Sequence, residues 1–234
     1  MAKLEQLLKN ERVLFFGDSI THNWDKFDHD LNYVNGKDYK GLGSGYVKML
    51  DDVCHFAYVD NVSVSGGCFA SCEKRNPLRQ AFRHFTYQVD HATCQIKEAN
   101  FIIIMLGTND YSEQVPFGKE DSLDKTTFFG GINVGLNQIR KINPKAKIIM
   151  LSCINRSFPI EDNRTYSYSL KEYNLAIKVA ARMHKAYYID IYDLFKYPTN
   201  QYNDNKDLIY TDDGLHPNHN GYVALTNYLL NCEL

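Results

Sequence analysis

The sequence predicts an α/β fold, a three-layer α/β/α sandwich in which a five-stranded parallel sheet is covered by helices on both faces. Three observations lead there. Apolar runs of strand length recur at 12–16, 58–64, 101–106, 147–152 and 187–191. Helical periodicity falls between them, and strands bridged by helices must run parallel. The long connections, 20–43, 107–124, 153–165 and 192–216, are polar or aromatic, and each follows a strand rather than a helix. They should gather at the carboxyl edge of the sheet, where open α/β folds bind ligands.

Taken in order, Met1 to Leu8 reads as a short amphipathic helix that runs straight into the first strand. With a helix there no cleavable signal sequence is expected, and the expected location is the cytoplasm. Val13-Leu14-Phe15-Phe16 forms the first buried strand, and Gly17-Asp18-Ser19 is the turn that ends it. The second strand closes at Asn61-Val62-Ser63-Val64-Ser65-Gly66 and the third at Gly107-Thr108-Asn109-Asp110. Phe128, Ile132, Leu136, Ile139 and Ile142 share one helical face. Leu170, Tyr173, Ile177 and Ala181 share a second, and Tyr222, Leu225 and Leu229 mark the last. Pro217 is expected to start that final helix.

Composition narrows the function classes. A chain of 234 residues without a Pro-, Gly- or Ser-rich linker, repeat or low-complexity segment suits a single domain, 1–234. Hydrophobic residues at 44% and charged residues at 23% are ordinary for a globular protein, and no apolar run approaches the roughly 20 residues that span a bilayer. A formal charge of -2 with scattered Lys and Arg leaves no basic footprint for nucleic acid. Six cysteines in this context read as reduced thiols, and Cys68 and Cys72 lack a second Cys or His pair at zinc spacing, so no metal site is expected.

The chemistry lies at opposite ends of the chain. Ser19 follows a buried strand, where an α/β sheet presents a reactive side chain. Asp213 and His216 are three residues apart, close enough for the carboxylate to hold one imidazole nitrogen while the other faces a hydroxyl. These are the parts of a serine hydrolase. Together with the blocks at Asn61–Gly66 and Gly107–Asp110, they occur in the order of the GDSL or SGNH hydrolases, and the chain resembles that family over nearly its whole length.

The resemblance implies a flavodoxin-like sheet with strand order 2-1-3-4-5. The turns carrying Gly66, Ser19 and Asn109 then converge on one crevice. It implies a Ser19–His216–Asp213 triad working without cofactor or metal, and an oxyanion hole built from the Ser19 and Gly66 amides and the Asn109 side chain. Family members commonly carry a glycine two residues after the second-block asparagine, where this chain has Ser63; the family's oxyanion glycine matches Gly66. Asp212 is the rival for the orienting carboxylate. A catalytically silent binding module would lack the nucleophile or histidine, and a nucleotide-binding protein would need a glycine-rich phosphate loop after the first strand.

Among the remaining residues, Asp18 is expected to bond its own turn, and Asp110 to keep an Asx-type turn. His22, His184 and His219 read as surface or packing residues. Trp24 and Tyr111 are candidates for lining a substrate pocket, and Tyr33, Tyr39, Phe117, Tyr197 and Tyr202 also fall in the site-facing loops. Amphipathic rings there suit small sugar or aryl esters, acetyl esters of carbohydrates above all, better than the long chains of a lysophospholipid or thioester.

Overall fold

The computed structural model describes residues 2–22, 45–72, 81–156, 168–195, 210–211 and 213–234. Strands β1 (Arg12–Gly17), β2 (Tyr58–Asn61), β3 (Phe101–Met105), β4 (Lys147–Leu151) and β5 (Tyr187–Ile189) form one sheet in the order β2-β1-β3-β4-β5. Every pairing is parallel, with Phe15 opposite Asn61 on one side and opposite Ile103 on the other. The expected strand order and direction are therefore those observed.

Helices α1 (Leu4–Leu8), α2 (Ser19–His22), α3 (Tyr46–Cys54), α4 (Phe85–His91), α5 (Thr93–Glu98), α6 (Thr108–Ser112), α7 (Phe128–Ile142), α8 (Leu170–Met183) and α9 (His219–Asn231), with single 3-10 turns at Ala81–Arg83 and Tyr192–Leu194, complete the described elements. The inner strands β1, β3 and β4 are continuously apolar from Val13 to Phe16, Phe101 to Met105 and Ile148 to Leu151 because the sheet is buried on both faces there. Leu14, Phe16, Ile102, Ile104, Ile148 and Met150 point into one core with α4, α5, α7 and α8. Val13, Phe15, Phe101, Ile103, Ile149 and Leu151 point into the other with α1, α3 and α9. The helical faces read from the sequence are the buried ones, with Ile142 at the margin. No helix among the described residues is long and apolar enough to cross a membrane.

Local chemistry sets several boundaries. The Thr127 hydroxyl accepts the Gly130 amide to cap α7, and Ser169 and Glu172 form a reciprocal capping box on α8. The last helix begins later than the sequence suggests: Asn218 is its N-cap and accepts the Gly221 amide at 3.0 Å, while Pro217 bridges back to Thr211. The fifth strand ends at Ile189 because the Ser152 hydroxyl, rather than a strand carbonyl, receives the Ile191 amide. Two of the connections begin as helices, α2 and α6, each a single turn that local periodicity is too short to reveal.

Candidate active site

The parallel sheet delivers the carboxyl ends of β2, β1 and β3 side by side. Ser19 is the first residue of α2, so its amide has no acceptor within the helix. The turn is held as expected by Asp18, whose carboxylate accepts the Ile20 amide at 2.9 Å. A helix this short leaves its last carbonyls open, and side chains from elsewhere fill the gap. The Tyr222 hydroxyl donates to the Ile20 carbonyl and the Asn61 amide donates to the Thr21 carbonyl, each at 2.9 Å.

Asn61 also accepts the Ser63 amide at 3.2 Å and the Ser63 hydroxyl, so Ser63 closes a tight turn. The chain then reverses at Gly66, whose φ of 76° lies in the left-handed region that favours glycine. Asn109, on α6, donates from its side-chain amide to the Gly67 carbonyl at 2.9 Å, which brings the second and third blocks together.

Asp110 reaches well beyond its own turn. Its carboxylate is fully buried and accepts the amides of Phe69 and Ala70, each at 2.9 Å. It is a strut between α6 and the loop that carries Gly66. Sequence spacing could not reveal this, because the partners lie some forty positions away.

At the C-terminal end, Thr211 and Pro217 pair across the base of a loop, and the Thr211 hydroxyl accepts the Gly214 amide at 3.1 Å. Gly214, at φ 77°, permits the reversal. Asp213 Oδ1 accepts the amides of Leu215 and His216 at 2.9 and 2.7 Å, and Oδ2 lies 2.7 Å from His216 Nδ1. A carboxylate can only accept, so Nδ1 carries the proton and Nε2 is left as an acceptor. Nε2 lies 2.9 Å from Ser19 Oγ. Burial by itself would raise the Asp213 carboxyl. The hydrogen bonds from the His216 side chain and from the His216 and Leu215 amides instead hold it well below the usual carboxylate range.

The other candidates are more scattered. Asp212, Trp24, Tyr33, Tyr39, Tyr197 and Tyr202 lie outside the described residues. Tyr111 is half-buried, edge-on to Tyr173 at 6.0 Å, with the Arg156 guanidinium 5.5 Å from its ring centre. Phe117 is a packing residue, with Tyr168 and Tyr173 at 4.4 and 4.8 Å, so its place in a site-facing loop misled. His219 is exposed. His22 has a partner that spacing did not show, the Ser63 carbonyl at 3.1 Å from Nδ1, and burial lowers its pKa.

Cys68, Cys72 and Asp110 bring potential metal-ligating atoms within 4.8 Å of one another. Spatial proximity achieves there what sequence spacing did not suggest. Both Asp110 oxygens are engaged by amides, and the two thiols face the Gly66 and Ala70 carbonyls at 3.6 and 3.5 Å, so the cluster reads as the packed root of the Gly66 loop.

This geometry coincides with a match of residues 15–224 to the profile of the GDSL-like lipase/acylhydrolase family. The chain belongs to the GDSL-like lipase/acylhydrolase family. It is accordingly a carboxylic ester hydrolase. Solved structures share the fold. A protein from Lactobacillus plantarum is 22% identical, with 94% of this chain and 95% of that one covered and a TM-score of 0.71. The acetylxylan esterase Axe2 of Geobacillus stearothermophilus is 20% identical, with 96% of each chain covered and a TM-score of 0.55. No curated protein matches the chain in sequence. For this GDSL-family hydrolase the sequence blocks and the spatial cluster are the same residues: Ser19, His216 and Asp213 in one hydrogen-bonded line, with Asn109 tied to the residue after Gly66.

Proposed function

We propose that the enzyme hydrolyses small O-acyl esters, acetyl esters of carbohydrates above all, through an acyl-enzyme on Ser19. The observation that carries this reading is the 2.9 Å approach of Ser19 Oγ to His216 Nε2, with the opposite ring nitrogen 2.7 Å from Asp213. Ser19 is a weak nucleophile until a base takes its proton, and His216 is placed to do so as the oxygen attacks the ester carbonyl. The C–O bond to the alcohol then breaks, and His216 returns the proton to that leaving oxygen. Water, deprotonated by His216 in turn, cleaves the acyl-enzyme and frees the acid. Asp213 keeps the ring in the required tautomer and stabilises the imidazolium.

Negative charge gathers on the carbonyl oxygen in each tetrahedral intermediate. The Ser19 and Gly66 amides and the second side-chain N–H of Asn109 are the donors we assign to it, the first N–H being taken by Gly67. The substrate reading rests on the polar and aromatic composition of the connections that follow the strands in sequence. An acetylxylan esterase of the same fold acts on that class of ester. The test is hydrolysis of an activated acetyl ester and labelling by an active-site phosphonate. Ser19→Ala should fold normally and lose both; a variant that kept either near the parent level would remove Ser19 as the nucleophile.

A further inference from the structure

We propose that Arg156 is a positioning residue that sets the side chain of Asn109 for the oxyanion, an inference that rests on the ester-hydrolase mechanism proposed above. Helix α6 is five residues long and has no side-chain N-cap, far shorter than a helix that holds its shape unaided. It is gripped from two sides. On one side Asn109 donates to Gly67 and Asp110 accepts the Phe69 and Ala70 amides, which ties α6 to the Gly66 loop.

The other side is held by Arg156, from the segment after β4. A single terminal nitrogen, Nη1, lies 2.7 Å from the Ser112 hydroxyl, 3.1 Å from the Thr108 carbonyl and 3.3 Å from the Thr108 hydroxyl. The guanidinium carbon also stands 5.5 Å from the centre of the Tyr111 ring. Thr108, Tyr111 and Ser112 are spaced i, i+3 and i+4, so they share one face of the turn, and all three touch the same cation. Asn109 and Asp110 lie on the part of the turn that meets the Gly66 loop. Arg156 therefore clamps the back of the turn whose front presents Asn109.

An arginine suits the task, because its Nη1 reaches the Thr108 and Ser112 oxygens while the planar guanidinium lies beside the Tyr111 ring, a combination that a compact, strongly hydrated ammonium does not offer. Without the clamp α6 keeps the Tyr111–Tyr173 contact and its ties to the Gly66 loop but loses the hydrogen bonds on the Thr108–Ser112 side, so the turn can tilt about those ties. Oxyanion donors act through fixed geometry, and a displacement of about 1 Å can cost on the order of 10² in rate. The loss should fall on kcat, since the donor works in the transition state.

The experiment is a double-mutant cycle between Arg156→Met and Asn109→Ala, read as kcat and KM on an activated acetyl ester. Methionine keeps the apolar stem and removes the donating nitrogen and its charge. Arg156→Met should lower kcat by about 10- to 100-fold, in line with the displacement cost, and change KM less than about twofold. In the Asn109→Ala background the same substitution should cost less than about threefold, because the group it positions is gone. Equal losses in both backgrounds, or a rise in KM alone, would overturn the proposal, the second outcome assigning Arg156 to substrate binding. Ser112→Ala, a milder change on the same contact, should act in the same direction and covers the case of a misfolded Arg156→Met. A readout independent of turnover is the side-chain amide resonance of Asn109, identified by its absence in Asn109→Ala; it should shift or broaden in Arg156→Met, and an unchanged resonance would refute the clamp. If the parent protein neither hydrolyses the ester nor reacts with the phosphonate, the ester-hydrolase mechanism fails, and this resonance alone decides whether Arg156 holds Asn109.

Discussion

The Tyr222 hydroxyl donates to the main-chain carbonyl of Ile20 at 2.9 Å, joining residues 202 positions apart. One end of this bond lies in the turn that begins with Ser19, and the other lies in the helix that follows His216. The bond therefore sets the distance between the two halves of the site, and it satisfies a carbonyl that α2 is too short to satisfy itself.

Tyr222→Phe tests that link. Removing only the hydroxyl leaves a buried carbonyl short of a donor, which costs about 1–3 kcal/mol. Urea unfolding should show that loss with an unchanged slope, and kcat should fall severalfold as Ser19 and His216 lose their register. A variant with parent-like stability and rate would mean that packing alone sets the Ser19–His216 distance.

Asn109→Ala should lower kcat by about 10²–10³-fold with a smaller change in KM, the usual result of losing one oxyanion donor. Steady-state kinetics on an acetyl ester decides it. A change confined to KM would place Asn109 among the substrate-binding groups.

Acid should weaken the fold in two steps. Burial holds His22 and His184 below their ordinary value of 6.5. The unfolded chain therefore takes up protons that the folded one resists, and stability present above about pH 6.5 is lost as pH falls through the lowered values. Asp213 acts in a lower window. Its carboxyl is held below the ordinary 3.8, so its contribution is full above that value and is lost as the medium becomes more acidic. Urea midpoints at pH 7.5, 5.5, 3.5 and 2 would trace both steps. Asp213→Asn should flatten only the lower one, and His22→Gln should reduce the upper.

Acyl-chain length separates the substrate classes. Each buried methylene is worth about 0.8 kcal/mol, so a site that encloses a long chain gains steeply in kcat/KM as the chain grows. Because the connections 20–43 and 192–216 are polar in composition, acetyl and propionyl esters should be the best substrates in a series from C2 to C12 kept below micelle-forming concentrations. A maximum at C8 or longer would favour the lysophospholipase or thioesterase reading and leave the triad untouched.

The amino-acid sequence by itself determined the parallel sheet, its two helical layers and the residues that meet at its carboxyl edge. Burial on both faces makes Val13–Phe16 and Phe101–Met105 continuously apolar, and a turn directly after such a run can only open at the strand end. Asp213 and His216 were legible for a similar reason, since three residues of chain keep a carboxylate within reach of an imidazole. Tertiary structure alone decided what supports them. Asp110 reaching Phe69 and Ala70, Tyr222 reaching Ile20 and Arg156 closing on Thr108 and Ser112 are contacts between residues 40 or more positions apart. Nothing in local spacing encodes such contacts, because they exist only once strands β2, β1, β3 and β4 have paired and brought their loops to one edge. The same pairing turned Phe117 from a loop ring into a packing residue and gave His22 a carbonyl to face. A polar side chain acquires its task from the neighbours the fold supplies, whereas an apolar run carries its burial in its own composition.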